Sequence, residues 1–122
     1  MRRDIHGLFE DIHEAAGFIA DDTAGLSFDE FEQDRRVRQV VERNFEFIGE
    51  AVNRLRQHDP SLVDQISAYR QFVSFCNALI HGYDVIDYAV VRHAVHESLP
   101  VLRTEIDQLL RESEQPSEPI KE

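Results

Sequence analysis

Apolar residues recur at helical spacing along almost the whole chain, and strand-like alternation is absent. Ile5, Leu8, Phe9, Ile12, Ala15, Ala16 and Ile19 follow the i, i+3, i+4, i+7 rule, which predicts an amphipathic helix over residues 3–20. Asp21-Asp22-Thr23-Ala24-Gly25 should end it. Ser27 is placed to cap a short helix, with Glu30 completing a capping box. Phe28 and Phe31 would pin that short helix to the core. Val37, Val40, Val41, Phe45, Ile48, Ala51, Val52 and Leu55 form a broad stripe along residues 35–58, the longest predicted helix. Phe47 widens the stripe. Gly49 within it costs ~1 kcal/mol relative to Ala, so another helix should approach closely there. Asp59-Pro60 closes the element.

Ser61 can cap a short lead-in helix. Residues 66–80 form the next helix, with Ile66, Tyr69, Val73, Cys76 and Ile80 along one stripe. Arg70, Ser74, Asn77 and His81 lie along another. The last helix spans residues 87–111 through Val91, Ala94, Val95, Leu99, Leu102, Ile106, Leu109 and Leu110. Asp87 is placed to cap it, and Pro100, which has no N–H, should kink it. Residues 112–122 have no periodicity and read as a disordered acidic tail. The expected fold is all-α: one domain over residues 1–111, an antiparallel bundle of four long helices plus a short one.

Composition changes this picture little. Hydrophobic residues make up 42% of the 122, enough for one core. No apolar run approaches the ~18 residues of a membrane helix. There is no long apolar leader, and a single cysteine cannot form an internal disulfide, so a reducing cytoplasmic setting is expected.

Charge changes it more. The formal net charge of -11 argues against a general nucleic-acid binder. Residues 1–34 hold two Arg and ten Asp or Glu, whereas residues 35–58 hold six Arg and three Glu. The second segment, with Arg36, Arg38 and Arg43, is the basic stretch that could face phosphates. An Arg-rich solvated helix face is the plainer reading of the same residues.

Chemistry concentrates in Ser74-Phe-Cys-Asn-Ala-Leu-Ile-His-Gly-Tyr-Asp-Val-Ile-Asp87. Here an apolar run breaks into His81-Gly82-Tyr83-Asp84. Gly82 permits a sharp turn because it lacks a Cβ. The turn gathers an imidazole, a phenol and a carboxylate at a helix end, with Asn77 one helical turn before His81. Cys76 lies on the apolar stripe, where a thiol acts as a small hydrophobe.

This stretch resembles the signature of the HepT-like proteins, a branch of the HEPN ribonuclease superfamily. Their motif reads Arg-Asn-x-x-x-His-x-Tyr, and Asn77, His81 and Tyr83 fall on it. The Arg position is Cys76. Phe31 to Asp34, Ile48-Gly49-Glu50-Ala51 and Leu99-Pro100 also resemble family segments, so the likeness spans about residues 3–110.

The resemblance implies a homodimeric, metal-independent endoribonuclease that needs no cofactor, the toxin of a toxin–antitoxin pair. His81 would do acid/base work, Asn77 would orient it or the phosphate, and Tyr83 would line the cleft. An MNT nucleotidyltransferase antitoxin would transfer AMP to Tyr83, adding charge and bulk that exclude RNA. Cys76 departs from the pattern, because a neutral thiol cannot replace a permanently charged, bidentate guanidinium. Arg70, Arg36, Arg38 and Arg43 are the candidate substitutes. An alternative is a HEPN-fold interaction module that binds a nucleotidyltransferase without cleaving RNA. A plain helical dimerisation domain is the third reading.

Other candidates are weaker. His93 and His96 sit three apart beside Glu97, but no third metal ligand has suitable spacing. His6 and His13 share a helical face, and His58 suits a helix C-terminus. No phosphate-cradling glycine loop occurs, so ATP binding by such a loop is not expected.

Overall fold

Helices account for the described chain apart from the turns that join them. The computed structural model describes residues 3–67, 69–80 and 88–114, with side chains for 4–67, 69–75 and 88–113. The elements are α1 (Arg3–Thr23), α2 (Phe28–Gln33), α3 (Arg35–His58), α4 (Pro60–Val63), α5 (Tyr69–Ile80), α6 (Tyr88–His93), a π-helical turn (Ala94–Ser98) and α7 (Leu99–Glu114). No strand occurs among the described residues. None of these helices is long and apolar enough to cross a membrane.

The apolar stripes become the core. Phe9, Ile12 and Ile19 of α1 meet Val41, Phe45, Ile48 and Leu55 of α3, and all are fully buried. α1 packs on α3 and α7, and α3 packs on α5. His58 Nε2 lies 3.5 Å from Asp4 Oδ2, so the end of α3 meets the start of α1. Ser113 Oγ lies 2.8 Å from His6 Nδ1, so the end of α7 meets that same start. α1 therefore runs antiparallel to both. Gly49 is buried within α3.

Local chemistry sets the boundaries. Ser27 and Glu30 form the expected capping box, with bonds of 3.1 and 2.9 Å. α1 continues through Asp21 and Asp22 to Thr23. The chain turns only at Gly25, whose φ of 78° is a left-handed conformation that glycine adopts freely. Asp34 both ends α2 and caps α3, accepting from the Val37 N–H at 3.1 Å.

Some expectations change. Asp59, not Ser61, caps α4: its Oδ1 accepts from the Ser61 N–H at 3.1 Å and hydroxyl at 2.7 Å. Pro60 follows at the first helical position, where its missing N–H does no harm. α5 begins at Tyr69 rather than residue 66, because Asp64 to Ile66 close i→i−3 turns instead. The Ser67 N–H is held by the Glu105 carboxylate of α7 at 3.1 and 3.2 Å. Phe72, outside the predicted stripe, is buried. Val40 and Phe47 are exposed, so the α3 stripe is narrower than predicted.

The final rod also differs. It continues to Glu114, past the expected end at residue 111. The lack of an N–H at Pro100 is accommodated by the π turn just before it, where Leu99 N–H bonds to Ala94 O. Its flanking residues His93 and Leu99 keep helical angles, so α6 and α7 form one continuous rod.

Candidate functional site

α3 and α5 are locked by stacked rings. Phe45 meets Phe72 at 5.6 Å and Phe75 at 5.0 Å, the latter edge-on. The short path through α4 makes the two helices antiparallel. From Phe75 the axis of α5 advances ~7.5 Å to Ile80, and from Phe45 the axis of α3 runs back ~10 Å to Arg38. The C-terminal end of α5 is thus level with the first turns of α3.

That end delivers the motif. His81, Tyr83 and the expected Asp87 cap lie outside the described residues. Cys76 and Asn77 lie on the α5 backbone, with side chains outside the described set. The two flanks of the motif, Ile80 and Tyr88, are both described.

A polar cluster sits at the second flank. The Tyr88 hydroxyl donates to Glu42 Oε2 at 2.8 Å. The Arg38 guanidinium covers the Tyr88 ring, 5.2 Å from its centroid. Phe31 meets that ring edge-on at 6.0 Å. Arg38 Nη1 donates to the Glu32 carbonyl in the last turn of α2. Its Nε is buried and has no hydrogen-bond partner among the described residues. Three helices thus converge on one guanidinium: α3 carries it, α2 supplies a carbonyl and α6 a ring.

Burial raises the Tyr88 pKa above its ordinary 10.0, and the hydrogen bond to Glu42 and that carboxylate's charge add to the effect. The Arg38 guanidinium pulls the other way. The folded state therefore favours the neutral phenol more than the unfolded chain does. This contribution is complete below the unfolded value of 10.0 and is lost as pH rises through the folded one. Thermal melts of wild type should fall more steeply than those of Tyr88→Phe above about pH 10, while at neutral pH the variant should be ~1–2 kcal/mol less stable. Parallel alkaline limbs would contradict this.

The other candidate arginines are placed elsewhere. At ~100° per residue, Arg38 lies about 20° from Phe45 around α3, on the side facing α5, whereas Arg36 and Arg43 lie about 160–180° from Phe45. Arg43 stacks over Phe47 at 4.7 Å and meets Glu46 at 3.2 Å. Arg70 opens α5 and sits ~15 Å from Ile80 along its axis. Only Arg38 among these four lies beside a flank of the motif.

Tyr88 and Glu42 were not singled out in the sequence, although Arg38 and Glu42 are four residues apart, which puts them on adjoining positions of one helix face. A groove lies on another side, between α1 and α3. It encloses about 330 Å³ beside Phe18, Phe47, Glu14 and Arg54, away from the motif flanks. His93 and His96 are exposed on the rod, beside Arg92 and Glu97. Among the described residues no three His, Cys, Asp or Glu side chains converge as a metal site would need.

Comparison with known proteins adds family information. The family described as Ribonuclease HepT-like matches residues 12–109. A candidate RNase of Methanocaldococcus jannaschii, MJ1380, is 30% identical over 110 residues, covering 87% of this chain and 96% of its own. The probable ribonuclease HepT of Thermococcus cleftensis is 30% identical over 109 residues, covering 89% and 98%. A second candidate RNase of M. jannaschii, MJ0127, is 29% identical over 113 residues, covering 93% of each chain. No solved structure matches the chain.

Proposed function

The chain belongs to the Ribonuclease HepT-like family, and from that premise we propose that it is an endoribonuclease toxin with His81 as its acid/base residue. The observation that carries this reading is the family match across residues 12–109, which encloses Asn77, His81 and Tyr83 in motif order. In the proposed reaction the 2′-OH loses its proton and the 2′-oxygen attacks phosphorus. The bond to the 5′-oxygen breaks and that oxygen takes up a proton. An imidazole can serve either proton transfer near neutral pH. No metal enters the scheme.

Two copies would pair about a two-fold axis, each a four-helix bundle, with both motifs in a shared cleft. Asn77 would orient His81 or the phosphate. The partner would be an MNT-type nucleotidyltransferase that neutralises the toxin by transferring AMP from ATP to Tyr83. Each transfer joins the phenolic oxygen to the α-phosphorus and releases pyrophosphate. The added phosphate then repels RNA from the cleft.

Cleavage of unstructured RNA in EDTA tests the reading. Wild-type protein should cut, and Cys76→Arg should cut at least as fast. Activity in Cys76→Arg alone would instead favour a decayed site on an intact scaffold, and silence in both would favour an interaction module. Mass spectrometry after incubation with the nucleotidyltransferase and ATP tests the antitoxin scheme. An unmodified Tyr83 peptide would count against it.

A further inference from the structure

The groove between α1 and α3 is lined by those two helices alone among the described residues. Its buried lining is apolar: Leu8 and Ala15 come from α1, and Ala51 from α3. Phe18 and Phe47 stand at its edges, 50% and 49% exposed. Two large rings left half in water beside an apolar cleft gain from whatever covers them. We propose that this groove docks an amphipathic helix of a partner protein, one that carries apolar anchors on one face and Lys or Arg beside them. The assignment does not depend on the ribonuclease reading.

Shape and charge both carry it. The lining residues fall within 8–18 of α1 and 44–54 of α3, which is ~15 Å along each axis. A helix of about three turns covers that length. Such a helix presents apolar residues at i, i+3, i+4 and i+7, the spacing by which helices seat in apolar grooves. The polar lining is mostly acidic. Asp11, Glu14 and Glu50 face the groove together with one cation, Arg54, whose guanidinium lies 3.5 Å from Glu50. Asp11 and Glu14 form no ion pair with any described residue. Arg43, which stacks on the Phe47 ring, is answered by Glu46 at 3.2 Å. The cations at hand are thus matched, and two carboxylates beside Phe18 remain to be met by a basic partner.

The same charges disfavour the other occupants. A second copy laid on this face would bring three carboxylates and one guanidinium against an identical set, leaving carboxylates crowded in a buried contact. An RNA strand would set its phosphates against Asp11 and Glu14. A basic amphipathic helix instead covers both rings and supplies the missing positive charge.

The probe is a fluorescein-labelled peptide of Leu, Ala and Lys, about 14 residues long, with its Leu at helical spacing. Two comparators accompany it: the same peptide with Glu for Lys, and a scramble of identical composition. Anisotropy titrations of the full chain read the affinity. The Lys peptide should bind at least about tenfold more tightly than either comparator, and more weakly as salt is raised. Asp11→Lys/Glu14→Lys and Phe18→Gln/Phe47→Gln should each weaken it by at least about tenfold. Asp64→Lys/Glu97→Lys makes the same charge change beside Ser67 and Arg92, away from the groove, and should stay within about threefold. All the replaced side chains are exposed, so thermal unfolding should change little. A scramble or Glu peptide that binds as well, or groove variants that bind like wild type, would overturn the assignment. So would no binding of the Lys peptide. Sedimentation velocity adds a further check: a wild-type dimer that Phe18→Gln/Phe47→Gln converts to a monomer would give the face to a second copy and overturn the proposal.

Discussion

Phe45→Ala should lower stability by ~3–5 kcal/mol, the range for deleting a fully buried ring. Phe45 has no exposed surface and is the ring through which α3 touches Phe72 and Phe75. Truncation leaves a cavity between the two helices and removes two aromatic contacts, each worth ~0.5–1.5 kcal/mol beyond its area. Domains of this size have only ~5–15 kcal/mol to lose. The midpoint of thermal unfolding, followed by circular dichroism, should therefore fall by roughly 15 °C. A loss under ~1 kcal/mol would mean that α3 and α5 do not pack as described.

His81→Ala should reduce RNA cleavage by ~10²–10⁴, the usual contribution of a positioned acid or base. Binding should change far less, since an imidazole that is neutral for part of its cycle contributes little attraction to the phosphate backbone. The sensitive measurement is single-turnover rate against pH. The wild-type profile should bend where the acid/base group changes protonation, and the residual rate of the variant should not. A variant that cuts within about threefold of wild type would remove His81 from the chemistry.

Where neighbours in sequence decide an element, the pattern of residues was enough. The capping box at Ser27 and Glu30, the full extent of α3 and the stripe of α1 all follow from contacts within a turn or two. The start of α5 does not. It is fixed by the Glu105 carboxylate, 38 residues away from Ser67, and no local rule contains that partner. The phase of α5 was ambiguous for a related reason. Phe72, Val73 and Phe75 place apolar groups on several sides, and only packing against Phe45 selects Phe72 for burial. At Asp59 and Ser61 two cap-forming side chains competed, and the residue preceding Pro60 prevailed because proline suits the first helical position.

The candidate site divides the same way. His81, Tyr83 and Asn77 stand out as a motif in the linear sequence, and so does the departure at Cys76. Arg38 could be named only as one of several arginines. Its contact with the Tyr88 ring depends on how three helices assemble. Tyr88 and Glu42 are 46 residues apart, and their hydrogen bond has no sequence signature.

The meeting of Asp4 with His58 and of His6 with Ser113 has a practical corollary. The start of α1 and the end of α7 share one pole with the end of α3, and the 24 residues of α3 put its own first turn about 35 Å from that pole. An affinity tag, a fluorophore or a fused reporter attached beside Asp4 or Ser113 would thus sit at the pole opposite the first turn of α3.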